Sequence, residues 1–257
     1  MIDCINLNAD LGEGFGAYDI GNDVAMLGIV NSASVACGFH AGDAEVMHRV
    51  VMQAKARGVS IGAHPGFNDL WGFGRRPIEM RADELERMVA YQIGALRAIA
   101  AYAALPVTHV KAHGALSNMA ALRDDYAHAI GRAIRVVDPA IIYVAPCGSA
   151  MQRAGEALGL RVAREAFVDR LYEHDGTLTP RRVPGAVITD PAAAAARAVR
   201  MAREQVLLTR TGAALAQRID TLCVHGDEAS GVAVARAARD SLAAAGFRLV
   251  ALPEMPV

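Results

Sequence analysis

A closed α/β barrel, with parallel strands inside and crossover helices outside, is the fold this sequence predicts. Three observations carry it. Strand-like segments alternate with helical ones from end to end, which implies parallel strands joined by crossovers. The 257 residues read as a single domain, 1–257, with no linker, low-complexity tract or compositional shift. Polar residues collect at the C-terminal ends of the proposed strands, where such barrels build their sites. At this length a closed TIM-like barrel fits better than the alternative, an open doubly wound sheet.

Ile2 to Ala9 alternates, then runs apolar, and reads as the first strand. The glycine-rich stretch Asp10-Leu-Gly-Glu-Gly-Phe-Gly16 follows; it lacks the Lys-Ser/Thr ending of a P-loop. Asp19 to Val30 has helical character. Ser32 to Cys37 is the second strand, and Asp43 sits where it can cap a helix over Ala44 to Arg57, closed by Gly58. Val59 to Ala63 is the third strand, running into His64. The segment Asn68 to Pro77 is a loop by its glycines and proline, and holds the sole tryptophan and the pair Arg75, Arg76. Asp83 to Tyr102 is the clearest helix, with Leu85, Val89, Ile93 and Leu96 at helical spacing. After Pro106, Val107 to Val110 forms the fourth strand, with Lys111 and His113 at its end, and a helix begins near Ser117. A helix over Asp124 to Val137, a fifth strand over Ala140 to Ala145 and a helix over Ser149 to Leu158 come next. Arg161 to Phe167 is the sixth strand, followed by a loop from His174 to Pro184 and a helix from Pro191 to about Leu207. A short helix near Ala213 to Arg218 precedes the seventh strand, Thr221 to Val224. Ala229 to Ala245 is the last helix, and Phe247 to Leu252 an eighth, edge strand.

Composition narrows the function. A net charge of −1 gives no electrostatic case for nucleic acid or an acidic membrane surface. No apolar run is long enough to span a bilayer, and the N-terminus lacks the form of a signal peptide. Cys4, Cys37, Cys147 and Cys223 form no C-x-x-C pair; buried free thiols in a reducing cytoplasm are expected. Of 26 basic residues only Lys55 and Lys111 are lysines, so a lysine kept at a strand end points to a need for a compact ammonium there.

The strand ends bring together Asp10 and Glu13, His40 and Asp43, His64, Lys111 and His113, Glu165, Asp169 and Arg170, and His225 and Asp227. Half of the eight histidines are among them. A lone histidine is usually structural and Asp43 is as readily a plain cap, but the recurrence over six strands points to one cavity. His48 and His128, on helices, read as surface or packing residues. Two chemistries suit such a set: general acid–base catalysis by carboxylate–histidine pairs, or a divalent metal that activates water. No tight H-x-x-E-H spacing is present, so a metal would need ligands from separate strands.

Seven stretches then carry a resemblance: Asn8-Ala-Asp-Leu-Gly-Glu-Gly-Phe-Gly16, Ala36-Cys-Gly-Phe-His-Ala-Gly-Asp43, Ile61-Gly-Ala-His-Pro-Gly-Phe67, Leu70-Trp-Gly-Phe-Gly-Arg-Arg76, Lys111 to Asn118, Glu165 to Tyr172, and Val224-His-Gly-Asp227. In this order, over almost the whole chain, they resemble the LamB/YcsF family, the A subunits of bacterial ATP-dependent 5-oxoprolinase. Ala112, Ser117, Ala166 and Val168 depart from the family pattern; Ser117 stands where a tyrosine is usual. The resemblance implies an irregular barrel of about seven strands, similar to polysaccharide deacetylases and related glycosidases. It implies the conversion of 5-oxo-L-proline, ATP and water to L-glutamate, ADP and phosphate. ATP with Mg2+ is then a co-substrate, no organic prosthetic group is expected, and subunits B and C are partners; a homo-oligomer is compatible.

Under this resemblance Asp10, Glu13, His64, Lys111, His113 and Asp227 are the candidate catalytic residues. His40, Arg75, Arg76, Asp169, Arg170 and His225 are candidate substrate contacts. Lys111, with Arg75 or Arg76, would neutralise a carboxylate or phosphate. No metal is assigned; if one binds, His40, His64, His113 and Asp10 are its expected ligands. Two alternatives stand: a metal-dependent deacetylase or sugar hydrolase on the same barrel, and a non-catalytic subunit that binds substrate for its partners.

Overall fold

The computed structural model describes residues 4–226 and 230–257. In chain order its elements are β1 (Cys4–Leu11), α1 (Asp23–Met26), β2 (Ser32–Ala36), α2 (Ala44–Arg57), β3 (Ser60–His64), α3 (Ala82–Ala100), β4 (Val107–Lys111), α4 (Gly114–Leu122), α5 (Asp124–Val137), β5 (Ile142–Pro146), α6 (Ala150–Ala157), β6 (Val162–Phe167), α7 (Pro191–Glu204), β7 (Val206–Leu208), β8 (Ala214–Ala216), β9 (Thr221–Val224), α8 (Gly231–Ala244) and β10 (Arg248–Leu249).

Strands β1, β2, β3, β4, β5, β6 and β9 pair in parallel in that order, and β9 returns to pair with β1. The seven-stranded ring is therefore closed, as expected, and is not an open doubly wound sheet. Residues Asn8–Leu11 of β1 lie opposite Ser32–Val35, and Asn6–Ala9 opposite Thr221–Val224. Alternation then sorts the side chains. Ile5, Leu7, Ala9 and Leu11 face outward into an apolar layer shared with the helices, including Val50 and Val51 of α2 and Leu85 and Val89 of α3. Asn6, Asn8 and Asp10 face inward. Their burial must be offset by hydrogen bonds within the barrel, and it is: Asn8 Nδ2 donates to Thr221 Oγ1 at 2.7 Å, Thr221 to Asn6 Oδ1 at 2.6 Å, and Asn6 Nδ2 to Ser32 Oγ at 2.9 Å.

The opposite end of the barrel is plugged. Ile142, Val144 and Ala163 pack against Val250, Leu252 and Met255 of the C-terminal tail. Asn6 Nδ2 donates to the Val250 carbonyl at 2.8 Å and the Leu252 N–H to Ser32 Oγ at 3.0 Å, which ties that tail in place. The mouth at the strands' C-terminal ends is the end left for a ligand.

Several local expectations hold in detail. Asp43 caps α2 through the Glu45 and Val46 N–H groups, and Gly58 ends the helix with φ 67°. Pro191 stands at the first turn of α7 as expected, and Asp190, for which the sequence carried no expectation, caps that helix. Others are corrected. The helix expected over Asp19 to Val30 is reduced to α1, because Gly21 adopts φ 91° and breaks the run. The helix expected over Ala213 to Arg218 is the antiparallel strand β8, pairing Ala214–Ala216 with β7. A six-residue helix satisfies few of its own backbone groups, whereas a hairpin turning at Gly212 (φ 85°) satisfies them directly. The edge strand expected over Phe247 to Leu252 shrinks to β10, paired among the described residues with Cys4 and Ile5. The first strand begins at Cys4 among the described residues and ends at Leu11; Ile2 and Asp3 lie outside them, as does Ala229 at the expected start of α8. No helix among the described residues is long and apolar enough to cross a membrane.

Candidate active site

The mouth of the barrel is built from two groups of side chains that share Asp10, the last inward residue of β1. Lys111, the last residue of β4, reaches across the interior. Its Nζ lies 2.9 Å from Asp10 Oδ1, 2.8 Å from Glu165 Oε1, 3.1 Å from Asn8 Oδ1 and 3.0 Å from Cys223 Sγ. An ammonium has three donors, so this cage leaves none for a ligand. Burial works against the Lys111 charge, but Asp10, Cys223 and Glu165 outweigh it and hold its pKa well above the ordinary lysine value. Burial likewise opposes ionisation of Asp10, yet His64 and Lys111 hold its carboxyl well below the usual carboxylate range.

The second group lies on the other side of Asp10. His64, ending β3, places Nε2 at 3.3 Å from Asp10 Oδ2 and 3.9 Å from Glu13 Oε1. Its Nδ1 is 2.7 Å from the Lys111 carbonyl, an acceptor, so Nδ1 carries the proton. His113, just past β4, has Nε2 2.8 Å from the Phe73 carbonyl and Nδ1 3.0 Å from His64 Nε2 and 3.3 Å from Glu13 Oε1. His40 is fully buried, its Nε2 3.2 Å from Glu13 Oε1, and its ring stacks on His113 with centroids 3.7 Å apart and planes 5° from parallel. Burial, reinforced by the neighbouring imidazoles, pushes the pKa values of His40 and His113 well below the usual range. The stack exists because Gly74, at φ 61°, lies over it: a Cβ there would stand 2.6 Å from His40 Cβ and 2.8 Å from His113 Cδ2.

A third contact completes the mouth. His225 Nδ1 is 2.7 Å from Asp169 Oδ2, and its Nε2 lies 4.0 Å from Cys223 Sγ. Burial opposes the His225 charge, but Asp169 and Cys223 raise its pKa well above the usual value. Burial also opposes ionisation of Asp169, but His225 holds its carboxyl below the usual range. Asp10, Cys223 and His225 present atoms within 4.8 Å of one another. The side chains of Asp10 and His225 each keep 12% exposure, so both can meet a ligand at the mouth.

The structure brings Asp10, Glu13, His40, His64, Lys111, His113, Asp169 and His225 together at the mouth. Asp227 lies outside the described residues. Arg75 is exposed at the rim, its guanidinium 4.9 Å above the Phe73 ring. Arg76, expected at the ligand, instead pairs with the buried Asp69 and holds its own loop. Arg170 is buried and donates from Nη2 to the Thr179 carbonyl at 2.7 Å, a fastening for the 174–184 loop. Lys111 is enclosed, which corrects its expected role as a direct partner of a substrate anion. Asp43 is a cap that also accepts from the Gly16 N–H at 2.7 Å. Two residues of the mouth, Asn8 and Cys223, are given no site role by the sequence, though Cys223 is the buried free thiol expected there. Their signal was the alternation Asn6, Asn8, Asp10 and Thr221, Cys223, His225 along strands whose other face is apolar. Glu13, rather than Asp10, centres the histidine group expected to hold a metal if one binds.

Comparison with known proteins agrees with this construction. The LamB/YcsF family model matches residues 5–257. The chain is 55% identical over 244 residues to the 5-oxoprolinase A subunit of Rhodopseudomonas palustris (strain BisA53), covering 95% of this chain and 96% of that one. It is 51% identical over 248 residues to the 5-oxoprolinase A subunit of Gluconobacter oxydans (strain 621H), covering 96% and 98%. Among solved structures, the lactam utilization protein from Thermus thermophilus superposes with a TM-score of 0.92 at 43% identity, covering 97% of this chain and all of that one. Matched along nearly its whole length in sequence and in fold, the chain belongs to the LamB/YcsF family.

Proposed function

We propose that the chain is the A subunit of an ATP-dependent 5-oxoprolinase, opening the lactam of 5-oxo-L-proline to L-glutamate in an assembly with subunits B and C. Relatives bearing that name at 55% identity support the reaction class. The observation that supports the site is the opposed pairing of two neighbours with atoms within 4.8 Å: Asp10 meets the Lys111 ammonium at 2.9 Å, which favours its ionised form, and His225 meets the Asp169 carboxylate at 2.7 Å, which favours its protonated form. Neighbouring groups whose environments push their pKa values apart are the usual mark of a base and an acid.

A five-membered lactam is stable, so ATP is needed to drive its opening. Phosphorylation of the lactam oxygen makes the ring carbon electrophilic. Asp10 then takes a proton from water as its oxygen bonds to that carbon; so activated a carbon asks little of its base. His225 gives its proton to the ring nitrogen as the C–N bond breaks. The nitrogen becomes the amine of glutamate and the carbon is left as an acyl phosphate; a second water then adds to that carbon, phosphate leaves with the former lactam oxygen, and both oxygens of the new carboxylate come from water. Lys111 keeps Asp10 ionised and positioned without touching substrate, and the Asp169 carboxylate orients His225. Arg75, at the rim, suits the substrate carboxylate.

The test is ATP-dependent glutamate release from 5-oxoproline by the chain mixed with subunits B and C. Asp10→Asn and His225→Gln each lose about 100-fold or more in turnover. The wild-type activity falls at alkaline pH as His225 loses its proton, and His225→Gln lacks that limb. Near-normal turnover in both variants would overturn the assignment.

A further inference from the structure

The two imidazoles beside Asp10 face each other in a way that a neutral pair does not tolerate. His64 Nδ1 donates to the Lys111 carbonyl and His113 Nε2 to the Phe73 carbonyl. In a neutral ring the other nitrogen carries a lone pair. Those two nitrogens, His64 Nε2 and His113 Nδ1, stand 3.0 Å apart, with Glu13 Oε1 3.9 and 3.3 Å away. Two lone pairs and a carboxylate converge on one point inside the protein. A cation belongs there.

We propose that His64 Nε2, His113 Nδ1 and Glu13 form a three-ligand site for one divalent transition metal ion. Ligand bonds of about 2.05 Å across the 3.0 Å nitrogen gap give an N–metal–N angle of roughly 95°. That angle, with two imidazoles and a carboxylate, suits Mn2+, Co2+ or Zn2+ with open positions for water or substrate. Asp10 Oδ2, 3.3 Å from His64 Nε2, borders the open side. The second shell is already in place: both ligand histidines give their other N–H to backbone carbonyls, which sets the tautomer. When bound, such an ion polarises a carbonyl or phosphoryl oxygen or acidifies water.

The geometry also excludes a residue from the set. A metal lies near the plane of each ring that binds it. The His40 and His113 rings are parallel and stacked at 3.7 Å, so no single ion lies in both planes. His40 is therefore a positioning residue, which packs against His113 and hydrogen-bonds Glu13 at 3.2 Å. The inference does not depend on the reaction proposed above.

The chain is stripped with chelator, dialysed against Mn2+, Co2+ or Zn2+ in turn, and assayed for bound metal by elemental analysis and for thermal stability. One ion per chain, a raised melting temperature and a Co2+ ligand-field spectrum are expected. His113→Gln and Glu13→Gln lose the bound ion and the rise in melting temperature that metal gives, while their metal-free melting temperatures stay within a few degrees of the metal-free parent. His40→Gln retains one ion per chain with weakened affinity, by about 10- to 100-fold. No stoichiometric binding of any of the three metals overturns the proposal. Loss of binding in His40→Gln as complete as in His113→Gln overturns the ligand assignment.

Discussion

The two sides of Asp10 are built from the same kinds of groups to opposite ends. On the lysine side a charged ammonium meets Asp10, Glu165, Asn8 and Cys223, and every donor has its partner. On the histidine side three imidazoles surround Glu13, and two ring nitrogens meet with their lone pairs. The lysine side is electrostatically complete and serves as a frame. The histidine side is complete only with something added. A cluster of polar residues in a barrel mouth is thus not uniform; what separates a frame from a site open to an ion is whether its donors and acceptors already balance.

The comparison is easiest to break at Lys111. Replacing it with Met strands Asp10 and Glu165 as buried charges, so Lys111→Met costs about 3–5 kcal/mol in urea unfolding. His113→Gln on the other side costs about 1 kcal/mol or less in the metal-free protein, because it removes no buried net charge. Equal losses in the two variants would erase the distinction between the filled frame and the open site.

A smaller effect sharpens it through pH. The Asp169 pKa is lowered from 3.8 and that of His225 raised from 6.5. Their ion pair therefore contributes fully between those two ordinary values. Its contribution is lost as pH rises through the raised His225 value, and as pH falls through the lowered Asp169 value. Asp169→Asn should lose on the order of 2 kcal/mol at pH 5–6 and progressively less at alkaline pH. A pH-independent loss would mean that the pair is not ionic.

Asp23 gives the smallest effect. It lies near the mouth and accepts from the Gly12 N–H at 3.1 Å. Burial, with Asp19 and Glu13 nearby, pushes its pKa from 3.8 up to about 6. Ionisation then opposes folding: the penalty is absent below 3.8, grows up to about 6 and is constant above that. Asp23→Asn keeps the acceptor and should raise stability at pH 8 by about 1 kcal/mol, after discount for solvent screening, with no gain near pH 3.5. A gain at both pH values would point to packing instead.

Much of this architecture was legible because it is local. The helix α5 and the strand β9 fall on the residues that periodicity and Asp-Pro or Gly breakers delimit, and Asp43 caps α2 as its position before an apolar-periodic run requires. The convergence of Asp10, His64, Lys111, His113 and His225 was legible for a related reason: parallel strands closed into a ring deliver all their C-terminal ends to one rim. Where local signals conflicted, as at Ala214–Ala216, helix-forming alanines lost to backbone pairing with β7, a partner the residues themselves do not announce.

The sequence by itself determined the alternation of strands and helices, the caps, and which residues stand at the strand ends, since each of these depends on neighbours a few positions away. Tertiary structure alone decided what those residues are. Lys111 is a frame because Glu165 and Cys223 arrive from β6 and β9, and Arg76 is a loop fastener because Asp69 turns back to meet it. The proton positions on His64 and His113 are set by the carbonyls of Lys111 and Phe73, 47 and 40 residues away. Charge balance and tautomer are properties of the assembled cavity, and no spacing along the chain encodes them.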